Sequence, residues 1–110
     1  MKLKGAEIVW GMFGLCEGVE VVFGYPGRRE HADLRRVMLN YPHHAAAHEQ
    51  GAAHMAWRAR VSGRLGVAMA TSVRGATNLV TGICTAMMDL VPTVFITGQV
   101  AAHLIGAMPF

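Results

Sequence analysis

Three short apolar runs, each closed by a turn of small or polar residues, constrain this chain more than any other feature. Val21-Val22-Phe23 closes at Gly24-Tyr25-Pro26-Gly27, Leu65-Gly66-Val67-Ala68-Met69-Ala70 closes at Thr71-Ser72-Val73-Arg74-Gly75, and residues 91–96 close at Thr97-Gly98. Runs of this length and punctuation read as buried strands. Between them lie segments with helical spacing. Residues 5–20 repeat apolar side chains at Ile8, Val9, Phe13, Leu15 and Cys16, with Gly18 as a stop. Residues 30–39 set Leu34, Val37 and Met38 opposite Arg35 and Arg36, residues 49–61 turn their alanines and Met55 inward and Arg58 and Arg60 outward, and residues 76–88 form a helix almost without charge. His44-Ala45-Ala46-Ala47-His48 suits a helix by alanine's propensity and a strand by its place between two helices, and it is assigned as a strand.

The resulting order, α-β-α-β-α-β-α-β, demands right-handed crossovers and a parallel sheet with helices on both faces. The fold class is therefore α/β. Ligand sites in such sheets gather beyond the carboxyl ends of the strands. Here those ends are Gly24 to Gly27, His48-Glu49-Gln50, Thr71 to Asn78, and Thr97-Gly98-Gln99.

At 110 residues the chain is one domain at most, spanning 1–110. Its net charge of +3 comes from arginines and lysines scattered along the sequence, and only 7% of residues are aromatic, so no basic stripe interleaved with stacking rings is present to bind nucleic acid. Residues 90–110 carry no formal charge, yet Pro92, Gly98, Gln99, His103, Gly106 and Pro109 would place breakers and polar groups in lipid; no membrane span is expected. Cys16 and Cys84 have neither metal-like nor CxxC spacing, and no secretion signal precedes them, which points to reduced thiols and a cytoplasmic location. Cys84, Met87 and Met88 are expected in the core. The long uncharged C-terminal third predicts exposed apolar surface.

Glu49 is the only acid between Asp33 and Asp89, and its neighbours are Ala, Gly, His and Met. A carboxyl sheltered from water is suited to acid–base work near neutral pH. The plainer reading is electrostatic, since an acid in a helix's first turn contributes only about 0.3–1 kcal/mol and needs no further role. His48 and His54 flank it six residues apart, whereas two zinc ligands on one helix face need a spacing of four. No metal ligand is expected. Neither GxGxxG nor GxxxxGK[ST] occurs, so the glycine turns at Gly24/Gly27 and Gly75 carry no nucleotide fingerprint.

Four segments occur in a recognisable order: Val21-Val22-Phe23-Gly24-Tyr25-Pro26-Gly27, His48-Glu49-Gln50-Gly51-Ala52-Ala53-His54-Met55-Ala56, Gly75-Ala76-Thr77-Asn78-Leu79-Val80-Thr81-Gly82, and Asp89-Leu90-Val91-Pro92 through Ile96-Thr97-Gly98-Gln99-Val100. Together they closely resemble the N-terminal, pyrimidine-binding domain of acetolactate synthase large subunits, within the thiamine-diphosphate-dependent enzymes. The resemblance implies the thiamine-diphosphate-binding fold, truncated at its C-terminal end. It implies that Glu49 hydrogen-bonds a ring nitrogen of the cofactor's aminopyrimidine and favours the imino form that takes the thiazolium proton. Pyruvate would then be decarboxylated and its two-carbon unit joined to a second 2-keto acid, a step of branched-chain amino-acid biosynthesis.

By the same resemblance, Glu49 is catalytic, and Tyr25, Pro26, Gly27, Glu49, Thr71 and Asn78 bind the cofactor, with Gln99 and His103 nearer the dimer interface and substrate entrance. Mg2+ and FAD would be held mainly by other domains. Partners would be small 2-keto acids, a second copy in a homodimer or higher oligomer, and a regulatory subunit. The alternatives are a catalytically inactive remnant or interaction module of this fold, or a related thiamine-diphosphate decarboxylase or carboligase. The chain departs from the family's pattern at Arg28, where a second glycine is usual, and at Val73-Arg74, where Ser-Gly-Pro-Gly-Ala-Thr-Asn becomes Ser72-Val73-Arg74-Gly75-Ala76-Thr77-Asn78. The helix after Glu49 is one residue short at Trp57-Arg58-Ala59-Arg60. One lost residue rotates the remainder of a helix by about 100° about its axis, so either the apolar face is rebuilt or the helix end unwinds. This polypeptide alone is expected to be inactive.

Overall fold

A computed structural model of the chain describes residues 2–25, 43–99, 103, 105 and 106. The expected helix at 30–39 lies outside these residues. Strands β1 (Val22–Gly24), β2 (His43–Ala45), β3 (Gly66–Ala70) and β4 (Thr93–Thr97) form one sheet in the order β2-β1-β3-β4. Every pairing is parallel, with Val22 opposite His43 and Val67, and Val67 opposite Val94. Helix α1 (Gly5–Leu15) precedes β1, α2 (Glu49–Ala59) lies between β2 and β3, and α3 (Arg74–Asn78) and α4 (Val80–Met88) lie between β3 and β4.

Side chains on β3 alternate between the two faces, as the pleat requires. Val67 and Met69 meet Trp10, Val19 and Val22, with Ala6 and Phe13 of α1 packed against them. Ala68 and Ala70 meet Ala53, Ala56 and Leu79, with Phe23, Ile83 and Phe95 alongside. Bulky residues thus fill the α1 side, while α2 itself presents only alanines, Ala53 and Ala56, to this second cluster. A Cβ built on Gly66 would lie 1.8 Å from the carbonyl oxygen of Ala56, so glycine is what lets α2 lie against the start of β3.

Several sequence expectations need correction. Ala6, Trp10 and Phe13, at i, i+4 and i+7, make the inward face of α1, while Ile8, Val9, Leu15 and Cys16 are exposed; the first helix also stops at Leu15, and Gly18 takes its positive φ of 61° beyond that end. The second strand ends at Ala45, not at His48: the Ala46 N–H makes the last bond to β1, at the Gly24 carbonyl, and the chain then turns into α2. Residues 76–88 are not one helix: the chain breaks at the fully buried Leu79, between α3 and α4. Met55 is on the exposed side of α2, whose inner face consists of Ala52, Ala53 and Ala56.

Cys84, Met87 and Met88 are likewise exposed rather than core, since α4 docks through Gly82 and Ala86 and turns its opposite face outward. With Val80 and Leu90 they form the apolar surface expected of the uncharged C-terminal third. The helix that begins at Glu49 ends at Ala59. After Ala59 the chain tightens into a 3-10 turn, Arg60–Ser62, and Val61 is left 74% exposed. Among the described residues, no helix is long and apolar enough to cross a membrane.

Candidate functional site

Glu49 opens α2, and His48 prepares that opening. The Nδ1 atom of His48 accepts a hydrogen bond from the backbone N–H of Gln50 at 3.2 Å, capping one of the free donors of the first turn. The imidazole is therefore a local helix cap. Among the described residues no group of three His, Cys, Asp or Glu side chains could hold a metal ion.

Glu49 itself is 8% exposed, a buried ionisable side chain. It sits where a helix's amino end favours negative charge, but burial is more than a helix-end role requires. Its carboxylate is held from another element: Asn78, the last residue of α3, donates from Nδ2 to Glu49 Oε2 at 3.0 Å. The other oxygen, Oε1, receives no hydrogen bond from a described residue. It faces Gly75, where an added Cβ would lie 3.4 Å from Oε1 and 2.7 Å from Thr71 Cγ2. A side chain at position 75 would press on Thr71 and crowd Oε1.

The carboxyl ends of β3 and β4 complete the surroundings. The Gly98 N–H donates to the Ala70 carbonyl at 3.0 Å, and a Cβ on Gly98 would lie 3.1 Å from the backbone nitrogen of Ser72. Between Ser72 and α3, Val73 holds φ 56° and ψ −107°, a region that favours glycine and is strained for a β-branched residue. It occupies the position at which the resembling family has glycine.

Of the expected site residues, Glu49, Thr71 and Asn78 are thus brought together. Tyr25 follows β1 and is 47% exposed, with no hydrogen bond to Glu49. Pro26 and Gly27 lie outside the described residues, and Gln99 and His103 are exposed beyond β4. Residues taken singly did not reveal that Asn78 points at the carboxylate or that Gly98 locks the two strand ends together. An apolar recess of about 740 Å³ lined by Ile83, Met87, Leu90, Pro92 and Phe95 lies at the opposite, amino end of β4. It is remote from any titratable group of the site.

One carboxylate oxygen fixed by an amide, and the other beside a glycine without a hydrogen bond from a described residue, is an arrangement that can share a proton with a heterocyclic nitrogen. Comparisons with known proteins give the family of the chain. Residues 5–109 match the family model described as thiamine pyrophosphate enzyme, N-terminal TPP binding domain. The chain belongs to this family. Within it, the chain is 46% identical over 112 residues to the acetolactate synthase large subunit of Haemophilus influenzae, covering 99% of this chain and 19% of that protein. It is 46% identical over 107 residues to acetolactate synthase isozyme 3 large subunit of Escherichia coli, covering 94% and 18%. Among solved structures, a thiamine diphosphate-dependent 4-hydroxybenzoylformate decarboxylase of Rhodococcus jostii superposes with a TM-score of 0.81 at 22% identity, covering 96% of this chain and 20% of that one. At that identity the likeness is one of fold. This TPP-binding domain spans about one fifth of the length of the relatives it matches.

Proposed function

We propose that this chain is the pyrimidine-binding portion of an acetolactate synthase-like enzyme, which decarboxylates pyruvate and transfers the two-carbon unit to a second 2-keto acid. The observation that carries the reading is the buried Glu49 carboxylate, with Oε2 engaged by Asn78 and Oε1 free beside Gly75. Thiamine diphosphate, when bound, supplies the nucleophilic thiazolium carbon and the electron sink for decarboxylation. The chain's own residues do the rest. Glu49 Oε1 would hold a proton shared with the aminopyrimidine ring. Gly75 and Thr71 would pack beside it, the glycine leaving Oε1 uncrowded by a side chain. The β1 turn at Tyr25, Pro26 and Gly27 would offer backbone contacts. Ala52, Ala53 and Ala56, all fully buried, keep water from the helix behind Glu49 and strengthen its hydrogen bonds.

The relatives are named large subunits of acetolactate synthase, which supports assembly with a further subunit. Small 2-keto acids as substrates, a regulatory subunit and a homodimer or higher oligomer belong to the proposed reading. Mg2+, FAD and a cytoplasmic location belong to the same reading. A second reading, a catalytically silent module, is favoured by one observation: the strained Val73 followed by Arg74, in a turn that the family builds from glycine and proline.

The test is acetolactate formation from pyruvate by the full-length protein with thiamine diphosphate and magnesium chloride. Wild type is expected to be active and Glu49→Gln inactive. Full activity in Glu49→Gln would put the proton relay on another residue, and an inactive wild type would favour the silent module.

A further inference from the structure

Asn78 was expected to bind the cofactor, yet its side-chain amide is already engaged. Nδ2 donates to Glu49 Oε2 at 3.0 Å, and the pair joins the first residue of α2 to the last of α3. We propose that Asn78 is a positioning residue, which acts on the cofactor only through Glu49 by choosing the carboxylate oxygen that faces it. This rests on the reading of Glu49 as the group that meets the aminopyrimidine.

Hydrogen-bond directions assign the two oxygens different tasks. An amide N–H on Oε2 uses that oxygen as an acceptor and makes it the poorer seat for a proton, so a proton held by the carboxyl resides on Oε1. Oε1 lies on the Gly75 side, where no side chain from position 75 crowds it. Rotation of the carboxyl group away from its plane would break the contact with Asn78, so the amide also fixes the direction in which Oε1 points. Asn78 is itself held from behind. Its neighbour Leu79 is fully buried, and Thr77 Oγ1 donates to the Arg74 carbonyl at 3.0 Å, which closes the short helix that ends at Asn78. Among the described residues no ion pair reaches Glu49, and a neutral amide orients the carboxylate without neutralising it.

The experiment is a double-mutant cycle on the full-length protein, reading the affinity for thiamine diphosphate in magnesium chloride by calorimetry. The variants are Asn78→Leu, Glu49→Gln and the double substitution. Asn78→Leu is expected to weaken binding about tenfold, the range for a hydrogen bond to a charged group. In the Glu49→Gln background the same change is expected to add less than about twofold, because the two residues act as one unit. Additive losses would mean that Asn78 touches the cofactor directly and would overturn the proposal.

A second readout needs no cofactor. The carboxylate stretching band isolated as the infrared difference between wild type and Glu49→Gln is expected to shift in Asn78→Leu and to return towards its wild-type position in Asn78→Gln, which keeps the donor. A band unmoved by Asn78→Leu would overturn the contact itself. Failure of wild type to bind thiamine diphosphate, with the infrared shift intact, would instead overturn the functional reading on which the proposal rests.

Discussion

A Cβ added to Gly82 would lie 2.3 Å from the Cβ of Ala53, which makes this glycine the point where α4 presses on α2. The contact is methyl against backbone, and it fixes the separation of the helix that begins at Glu49 from the one that follows Asn78. Alanine would ordinarily favour a helix interior over glycine by about 1 kcal/mol. The clash opposes that gain, because overpacking a tight core costs about 1–3 kcal/mol. Gly82→Ala is therefore expected to destabilise the domain, read as a lower denaturant midpoint with an unchanged slope. A higher midpoint would show that α4 can move away freely.

Gly66→Ala is expected to be the more damaging substitution of the two. Its new methyl would meet the carbonyl oxygen and carbon of Ala56 at 1.8 and 2.6 Å, and backbone cannot rotate aside as a side chain can. Expression of soluble, cooperatively unfolding Gly66→Ala at wild-type stability would contradict the close seating of α2 on β3.

The alternation of elements was legible because strand runs and helical spacings differ in period, and because turn residues punctuate both. Which face of a helix turns inward was not. Ile8, Val9 and Leu15 are as apolar as Trp10 and Phe13, and only the position of the sheet decides between them. Cys84, Met87 and Met88 misled for the same reason: a helix without charges gives no polar side by which to orient it. Glu49 stood out as an acid in apolar company. Its partnership with Asn78 depends on the turn after β3 swinging α3 back over the start of α2, a long-range relation that no local pattern records.

Val73→Gly should stabilise the protein. Backbone held at φ 56° and ψ −107° costs a β-branched residue on the order of 1–3 kcal/mol, more than the roughly 0.5–1 kcal/mol that glycine's extra freedom removes. A midpoint raised by several degrees in thermal unfolding is the expected result. A lowered midpoint would show that the side chain contributes packing that outweighs the strain.

The ion pair between Arg64 and Glu20 joins two exposed side chains, at 55% and 60% exposure. Pairs of that kind contribute less than about 1 kcal/mol and fade with salt. Glu20→Gln is expected to leave the denaturant midpoint nearly unchanged at moderate ionic strength. A loss comparable to that of Gly66→Ala would mean that the pair organises more of the fold than its exposure suggests.

Proton exchange at the thiazolium carbon of thiamine diphosphate bound to the full-length protein tests the role of Glu49 most directly, since it isolates the proton step from substrate chemistry. Exchange into deuterium oxide can be quenched in acid and read by proton magnetic resonance. Glu49→Gln is expected to retain bound cofactor and to slow the exchange by about 100-fold or more, the scale of a lost acid–base group. Exchange at the wild-type rate in Glu49→Gln, with the cofactor bound, would contradict the role assigned to Glu49.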